Sequence, residues 1–152
     1  MAKHPPVTAC GDSPNCVSTA DTRKKFQLAP LYIANDSVTF STIVAHIAAM
    51  PRAEVVTSQD NYAHLRFTTK VLRFVDDVEV SLAGNQLALR SASRIGYYDF
   101  GANRQRAEAI RQRLTDVRAY HALSEQLVDI RANVSFFIFH PIAAERPQSL
   151  SW

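Results

Sequence analysis

Gly84-Asn85 lies between two segments of alternating apolar and polar residues, and it constrains the fold more than any other feature of the sequence. A two-residue loop of this composition favours a tight β-hairpin, and the loop length fixes how the strands pair. With Ala83 opposite Gln86, one face carries the pairs Leu82–Leu87, Val80–Leu89, Val78–Ser91 and Asp76–Ser93. This face is apolar near the turn and polar away from it, which is typical of a sheet that reaches solvent or lines a pocket at that end.

The other face of the hairpin pairs Glu79 with Arg90 and Asp77 with Ala92. Because consecutive strand residues point to opposite faces, the sheet separates Asp76 from Asp77. These two carboxylates are therefore poorly placed to act together as an acid and a base. Glu79 and Arg90 are predicted to form a cross-strand ion pair, which contributes about 0.2–1 kcal/mol where it is exposed.

Segments on both sides of the hairpin complete the predicted fold. A first helix is predicted after a cap at Asp36 or Ser37. Its apolar residues recur every three or four positions and form one face of the helix, namely Phe40, Ile43, Val44 and Ile47. Two strands follow, over 53–57 and 62–69, and a second helix begins near Ala102. We predict an α+β fold, with an antiparallel sheet of about four strands, helices on one face and a C-terminal helical extension.

We divide the 152 residues into an extended N-terminal arm (1–36), an α+β core domain (37–116) and a C-terminal extension (117–152). The composition, 47% hydrophobic and 20% charged, is that of a globular protein with its own core. The extension is rich in large apolar residues, including Phe136, Phe137 and Phe139. They either pack back on the sheet or dock a protein partner, and the sequence leaves both open.

Composition also excludes some classes of function. No apolar run approaches the roughly 20 residues needed to span a bilayer, and the N-terminus has no apolar signal segment. We expect a soluble, cytoplasmic protein; the alternative is the periplasm or an organelle if the N-terminus is a processed or trimmed form. The net charge is only +3, without a broad basic patch interleaved with aromatics, so we expect no nucleic-acid partner. We expect no cofactor, because no nucleotide-binding or metal-binding motif is present.

Cys10 and Cys16 flank the turn sequence Asp12-Ser13-Pro14-Asn15. In an oxidising compartment they would close a small disulfide loop, and in a reducing one they would be two free thiols. Both alternatives remain open from the sequence. Metal binding would need further ligands, and His4 is the only one nearby, so we predict no metal site.

Three ordered blocks of the sequence resemble the signature of a known family. They are Cys10-Gly-Asp-Ser-Pro-Asn-Cys16-Val-Ser, Phe74-Val-Asp-Asp-Val-Glu79, and Ser91-Ala-Ser-Arg-Ile-Gly-Tyr97 followed by Asp99-Phe-Gly-Ala-Asn-Arg104-Gln-Arg106. On these residues the chain resembles the domain of unknown function 1499 family over about residues 10–116. The resemblance implies no established reaction, cofactor or ligand. The usual pattern has proline after the first cysteine, where this chain has Gly11, and ends near Leu114.

Arg104 and Arg106 lie in the first turn of the second predicted helix, where the helix dipole disfavours positive charge unless an anion compensates. The first interpretation is an internal ion-pair network that joins helix to sheet. In it, the carboxylates of Asp76, Asp77, Glu79 and Asp99 pair with Arg94, Arg104 and Arg106, and Arg90 belongs to it through its pair with Glu79. The second is a site for a phosphate or carboxylate. Its candidate ligand-binding residues are Asp76, Ser91, Ser93, Arg94, Asn103, Arg104 and Arg106. The internal network is the more common arrangement, and we favour it.

Two hypotheses of different class follow. The first is a non-catalytic binding or accessory protein, which either holds a small anionic ligand or joins a larger assembly. The alternative is an enzyme that acts on an anionic substrate through Asp76, Ser93, Arg94 and Arg104. No glycine-elbow sequence surrounds Ser91 or Ser93, so we assign no catalytic residue.

Overall fold

An antiparallel sheet lies at the centre of the computed structural model, which describes residues 7–33 and 38–116. In those residues the sheet has six strands, in the order β1-β6-β5-β4-β3, with β2 also paired to β6. Their bounds are β1 Cys16–Ser18, β2 Leu31–Tyr32, β3 Ala53–Gln59, β4 Tyr62–Thr68, β5 Val75–Ala83 and β6 Gln86–Ser93. Helix α1 spans Phe40–Ala48 and helix α2 spans 102–116. The predicted α+β fold is confirmed.

The β5–β6 hairpin has the register predicted from Gly84-Asn85. Every pair from Ala83–Gln86 to Asp76–Ser93 is confirmed, including Val78–Ser91 and Glu79–Arg90. Gly84 has a φ of 58°, a left-handed conformation that glycine adopts without the steric cost of a Cβ atom. The turn therefore determines which side chains of the hairpin face the helices.

β1 and β2 raise the number of strands from about four to six. Both are antiparallel to β6, with Cys16 opposite Ala92 and Leu31 opposite Leu87. They are only three and two residues long, too short to show strand periodicity in the sequence. The described part of the predicted N-terminal arm thus contributes directly to the sheet. The predictions for residues 117–152 lie outside the described residues.

Helix α1 begins after Thr39, so the predicted cap at Asp36 or Ser37 is wrong. Thr39 has extended backbone angles, and its side chain accepts a hydrogen bond from the N–H of Thr42 at 3.2 Å. A cap must lie immediately before the first helical residue, and only Thr39 meets this requirement. The predicted apolar side of the helix is confirmed, with Ile43, Val44 and Ile47 all buried.

Both helices pack on the same face of the sheet. Ile43 and Ile47 of α1 and Ile110 of α2 are 0% exposed, and they belong to one cluster with the apolar sheet residues, among them Leu65, Val78, Val80, Leu87 and Leu89. Burying each such side chain stabilises the fold by about 1.5–3 kcal/mol. The core ends where this face becomes polar, at Asp76 and Ser91 beneath α2. Within residues 7–33 and 38–116, no helix has the length and apolar character to cross a membrane.

Candidate functional site

Polar side chains fill the space between the sheet and the beginning of α2. This polar junction consists of Asp76, Ser91, Ser93, Asn103 and Arg106. Arg106 donates through Nη2 to the Asp76 carboxylate and through Nη1 to Ser91 Oγ (3.2 Å) and Asn103 Oδ1 (2.9 Å). The side chains of Asp76 and Arg106 are only 3% and 12% exposed, respectively. The charge of Arg106 is therefore balanced within the protein.

Asn103 connects the members of the polar junction. Its Oδ1 accepts a hydrogen bond from Ser91 Oγ at 2.7 Å. Its Nδ2 donates to the Asn15 carbonyl (2.9 Å), Ser93 Oγ (2.9 Å) and Asp99 Oδ2 (2.8 Å). Since Asn103 is fully buried, these bonds satisfy polar atoms that water does not reach.

Asp99 caps the beginning of α2. Its carboxylate accepts hydrogen bonds from the backbone N–H groups of Gly101 (3.0 Å) and Asn103 (2.9 Å). A carboxylate at this position stabilises the helix, because its negative charge lies at the positive end of the helix dipole. The sequence predicted an anion at this end of the helix, and the Asp99 carboxylate is one such anion.

A second polar network lies on the opposite face of the sheet. Asp77 accepts two hydrogen bonds from Arg94, at 2.8 and 2.9 Å, and pairs with His64 Nε2 at 2.7 Å. Burial alone would raise the pKa of the Asp77 carboxyl, but hydrogen bonds from Arg94 and His64 outweigh it and hold the pKa below its usual range. Asp77 is therefore ionised and paired at neutral pH.

Glu79 joins two side chains in the same network. It accepts from the Tyr62 hydroxyl at 2.8 Å and from Arg90 Nη1 at 2.9 Å. Burial, and then the hydrogen bond to the Glu79 carboxylate, raise the pKa of Tyr62 to about 12. The phenol is therefore a hydrogen-bond donor in the folded protein at neutral pH.

Arg104 makes different contacts from those expected in an acidic network. Its guanidinium donates to the backbone carbonyls of Lys25 (3.0 Å) and Gln27 (3.1 Å), in the segment between β1 and β2. Arg94, in contrast, pairs with Asp77 on the opposite face of the sheet. The structure thus brings Asp76, Ser91, Ser93, Asn103 and Arg106 together, and it keeps Arg94 and Arg104 apart from each other.

An apolar cleft of about 440 Å³ opens beside the polar junction. It lies between the loop of residues 69–74, which joins β4 to β5, and the loop of residues 94–101, which joins β6 to α2. Apolar side chains supply most of its lining, namely Val71, Leu72, Phe74, Ile95, Tyr98 and Phe100. Asp76 and Ser93 also line it, so the cleft has apolar walls and a polar floor.

Each of the two loops contains one residue with a strained backbone conformation. Arg73 and Phe100 have φ angles of 53° and 54°, in the left-handed region of backbone angles that residues other than glycine and asparagine rarely adopt. This conformation costs about 1–2 kcal/mol per residue. Phe100 is nevertheless 85% exposed, so burial of its ring offsets little of that cost. Strain of this kind is concentrated at functional sites.

A family comparison covers all of these features. The sequence model of a family described as "Protein of unknown function (DUF1499)" matches residues 6–114, well over half of the chain. The chain belongs to the DUF1499 family. A search of curated proteins and a search of solved structures each returned no significant match. The DUF1499 match includes every strand of the described residues, the polar junction and the apolar cleft.

The N-terminal part of the DUF1499 match contains a disulfide between Cys10 and Cys16. Asp21 and Arg23 hold this segment in place, because the Asp21 carboxylate accepts from the Cys10 N–H (3.0 Å) and Arg23 donates to the Cys10 carbonyl (2.6 Å). The Arg23 hydrogen bond keeps the pKa of Asp21 well below its usual range. Of the two alternatives left open by the sequence, the structure contains the bridged form.

Sequence reasoning located the polar junction but missed the apolar cleft of this DUF1499 protein. The available signal was two loop segments that carry large apolar residues without helical or strand periodicity, Lys70-Val-Leu-Arg-Phe74 and Ile95-Gly-Tyr-Tyr-Asp-Phe100. Their proximity depends on the β4–β5–β6 order of the sheet. That order is a property of the fold rather than of either segment.

Proposed function

We propose that this DUF1499 protein is a non-catalytic binding protein that holds a small amphipathic ligand in the apolar cleft. The observation that carries the proposal is the combination of solvent-exposed apolar walls with a polar floor in one cleft of about 440 Å³. Clefts of roughly 300–1,000 Å³ that are mostly apolar, with a few convergent polar groups, are typical of small-molecule sites.

The polar floor determines which head group fits. Ser93 Oγ accepts a hydrogen bond from Asn103 Nδ2, so its own hydroxyl proton can be donated to a ligand. The Asp76 carboxylate binds Arg106 through one oxygen. An anionic head group would place acceptor atoms against this carboxylate, which itself only accepts, whereas a neutral head with hydroxyl groups would both donate and accept there. The floor therefore favours a neutral, hydroxyl-bearing head.

This proposal changes the anionic ligand expected from the sequence. That expectation depended on Arg94 and Arg104. Their guanidinium groups form hydrogen bonds with Asp77 and with the carbonyls of Lys25 and Gln27. The same contacts weigh against the alternative of an enzyme that uses Asp76, Ser93, Arg94 and Arg104 together. Ser93 is hydrogen-bonded to an amide, which is not a general base.

Fluorescence titration with the neutral dye Nile red, and its displacement by a short-chain monoacylglycerol, tests the proposal. Leu72 is 68% exposed and lines the cleft. We expect Leu72→Ser to weaken dye binding about tenfold, because it removes an apolar wall. The matched control is Val55→Ser, an exposed apolar residue of β3 outside the cleft. Equal effects of the two substitutions, or none from Leu72→Ser, would contradict the proposal.

A further inference from the structure

The exposed apolar side chains are concentrated at one end of the sheet. In the described residues, seven of the ten large hydrophobic side chains that are exposed lie in the 69–74 and 94–101 loops, namely Val71, Leu72, Phe74, Ile95, Tyr97, Tyr98 and Phe100. Since β4, β5 and β6 are antiparallel neighbours, these loops emerge at the same end. The turns at the other end are the polar Asp60-Asn61 and Gly84-Asn85. We name the end of the sheet that carries the 69–74 and 94–101 loops the apolar end.

The apolar end is also basic. Arg52, Lys70 and Arg73 are exposed there, with Arg52 next to Ala53, which pairs with Phe67 near the end of β4. None of the three forms an ion pair with another described residue. The acidic residues nearby are engaged, because Asp76 binds Arg106, Asp77 binds Arg94, and Asp99 caps α2. The free charge at this end is therefore positive.

We propose that the apolar end docks on the surface of an anionic phospholipid bilayer. The aliphatic and aromatic tips would enter the headgroup region, where tyrosine is favoured because it combines an apolar ring with a polar hydroxyl. The three cations would then lie at the level of the phosphates and contribute electrostatic attraction. This inference goes beyond ligand binding in the cleft, since the tips and cations suffice for docking whether or not the cleft is filled.

Charge distinguishes a bilayer from a second copy of the chain. A symmetric dimer through the apolar end would place the unpaired cations Arg52, Lys70 and Arg73 of both protomers in one interface. Like charges gathered in one interface oppose association. An anionic lipid surface matches both properties of the apolar end, because it accepts apolar tips and neutralises cations.

Vesicle co-sedimentation of the full chain tests the electrostatic part. We expect binding to phosphatidylcholine vesicles that contain about 30% phosphatidylglycerol, much weaker binding to pure phosphatidylcholine, and loss of binding as salt is raised. Lys70→Gln with Arg73→Gln should weaken binding about thirtyfold. The control, Lys24→Gln with Arg113→Gln, removes the same charge outside the two loops, with Arg113 in the C-terminal half of α2, and should change binding by less than about threefold. Equal effects of the two pairs would overturn the proposal.

The disulfide permits a direct test of insertion. With Cys10 and Cys16 bridged, Val71→Cys provides a single thiol for a polarity-sensitive fluorophore. Its emission should shift to the blue on anionic vesicles. The same label on Asn61→Cys, in the turn at the opposite end, should not shift. The proposal is wrong if only the Asn61 label responds, if neither does, or if sedimentation velocity shows a dimer that Leu72→Ser abolishes.

The ligand proposal and the docking proposal can be tested independently of each other. Ser93 lies in the floor of the cleft and is not one of the exposed tips. Ser93→Ala should weaken monoacylglycerol binding and leave vesicle binding unchanged. Arg52→Gln with Arg73→Gln, which removes two exposed cations that do not line the cleft, should do the reverse. A chain that binds vesicles but no soluble ligand would support docking alone, and a chain that binds the ligand but no vesicles would overturn docking alone.

Discussion

Arg106 of α2 and Asp76 of β5 form an ion pair that joins helix to sheet, thirty residues apart in the sequence. The Arg106 guanidinium also lies over the Phe67 ring, 5.1 Å from its centroid. The pair lies where the apolar core ends, and Asp76 is itself part of the floor of the cleft. It therefore contributes both to the attachment of the helix and to the chemistry of the proposed site.

Removal of Arg106 should be costly. We expect Arg106→Met to lower the free energy of unfolding by about 3–5 kcal/mol, because it leaves the Asp76 carboxylate buried without its partner. Urea denaturation measures the change. The double variant Asp76→Asn, Arg106→Met should be more stable than Arg106→Met alone. Arg66→Gln is the control, since its pair with Glu54 is exposed, and it should cost less than about 1 kcal/mol.

Replacement of Asn103 should disrupt the whole polar junction. Asn103→Ala leaves Ser91, Ser93 and the Asn15 carbonyl without their shared partner, and we expect a loss of about 3 kcal/mol from the free energy of unfolding. The neighbouring exposed position provides the comparison: Gln105→Ala should stay within about 0.5 kcal/mol. Similar thermal unfolding of the two variants would show that the junction contributes little.

Tyr62 should make the fold sensitive to alkali. Its pKa is about 12 in the folded protein and about 10 in an unfolded chain. The neutral phenol is thus favoured by folding, and its contribution to stability is complete below pH 10 and is lost as the pH rises towards 12. Ultraviolet titration of the wild type minus Tyr62→Phe should show one tyrosine with a midpoint near 12. A midpoint near 10 would contradict the Tyr62–Glu79 hydrogen bond.

Asp77 should make the fold sensitive to acid. The folded pKa lies below the unfolded value of about 3.9, so the contribution to stability is present above that value and is lost as the pH falls through the folded pKa. Solvent screens the pair, because Arg94 is 43% exposed, and we expect about 1 kcal/mol. Urea midpoints from pH 7 to pH 2 should fall less steeply for Asp77→Asn than for the wild type. Parallel curves would exclude this role.

Reduction of the Cys10–Cys16 bridge should destabilise the fold modestly. The cysteines are six residues apart, and closing so short a loop stabilises the folded chain by about 2 kcal/mol in the loop-entropy model. Dithiothreitol should lower the melting temperature of the wild type. The variant Cys10→Ser, Cys16→Ser should melt at the lower temperature with or without the reductant. A reductant-sensitive double variant would show that the effect arises elsewhere.

Local rules predicted the hairpin and part of the network. The Gly84-Asn85 turn sets the register, so the sequence alone assigns Val78, Val80 and Leu89 to the core face and Glu79 and Arg90 to the other. Helical spacing likewise identified the buried side of α1. These features depend on residues close together in the chain, and that is why the sequence alone predicts them.

Features that depend on contacts between distant segments could not be predicted from the sequence. β1 and β2 form because β6 offers a free edge, and their own residues show no strand period. Arg104 finds its acceptors in the carbonyls of Lys25 and Gln27, which no charge pattern identifies. The apolar cleft arises from two loops twenty residues apart in the sequence, neither of which shows a helical or strand pattern by itself. The predicted site therefore contained the polar floor and lacked the apolar walls.

Asn103 also imposes an order on folding. Its side chain reaches the Asn15 carbonyl, eighty-eight residues earlier in the chain, and that carbonyl also accepts the N–H of Ser93. The β1 edge is thus completed only once β6 and α2 have been synthesised. On the ribosome the N-terminal segment must wait for nearly the whole family region to emerge. In hydrogen exchange, the β1 edge and the first turn of α2 should then open together, as one cooperative unit.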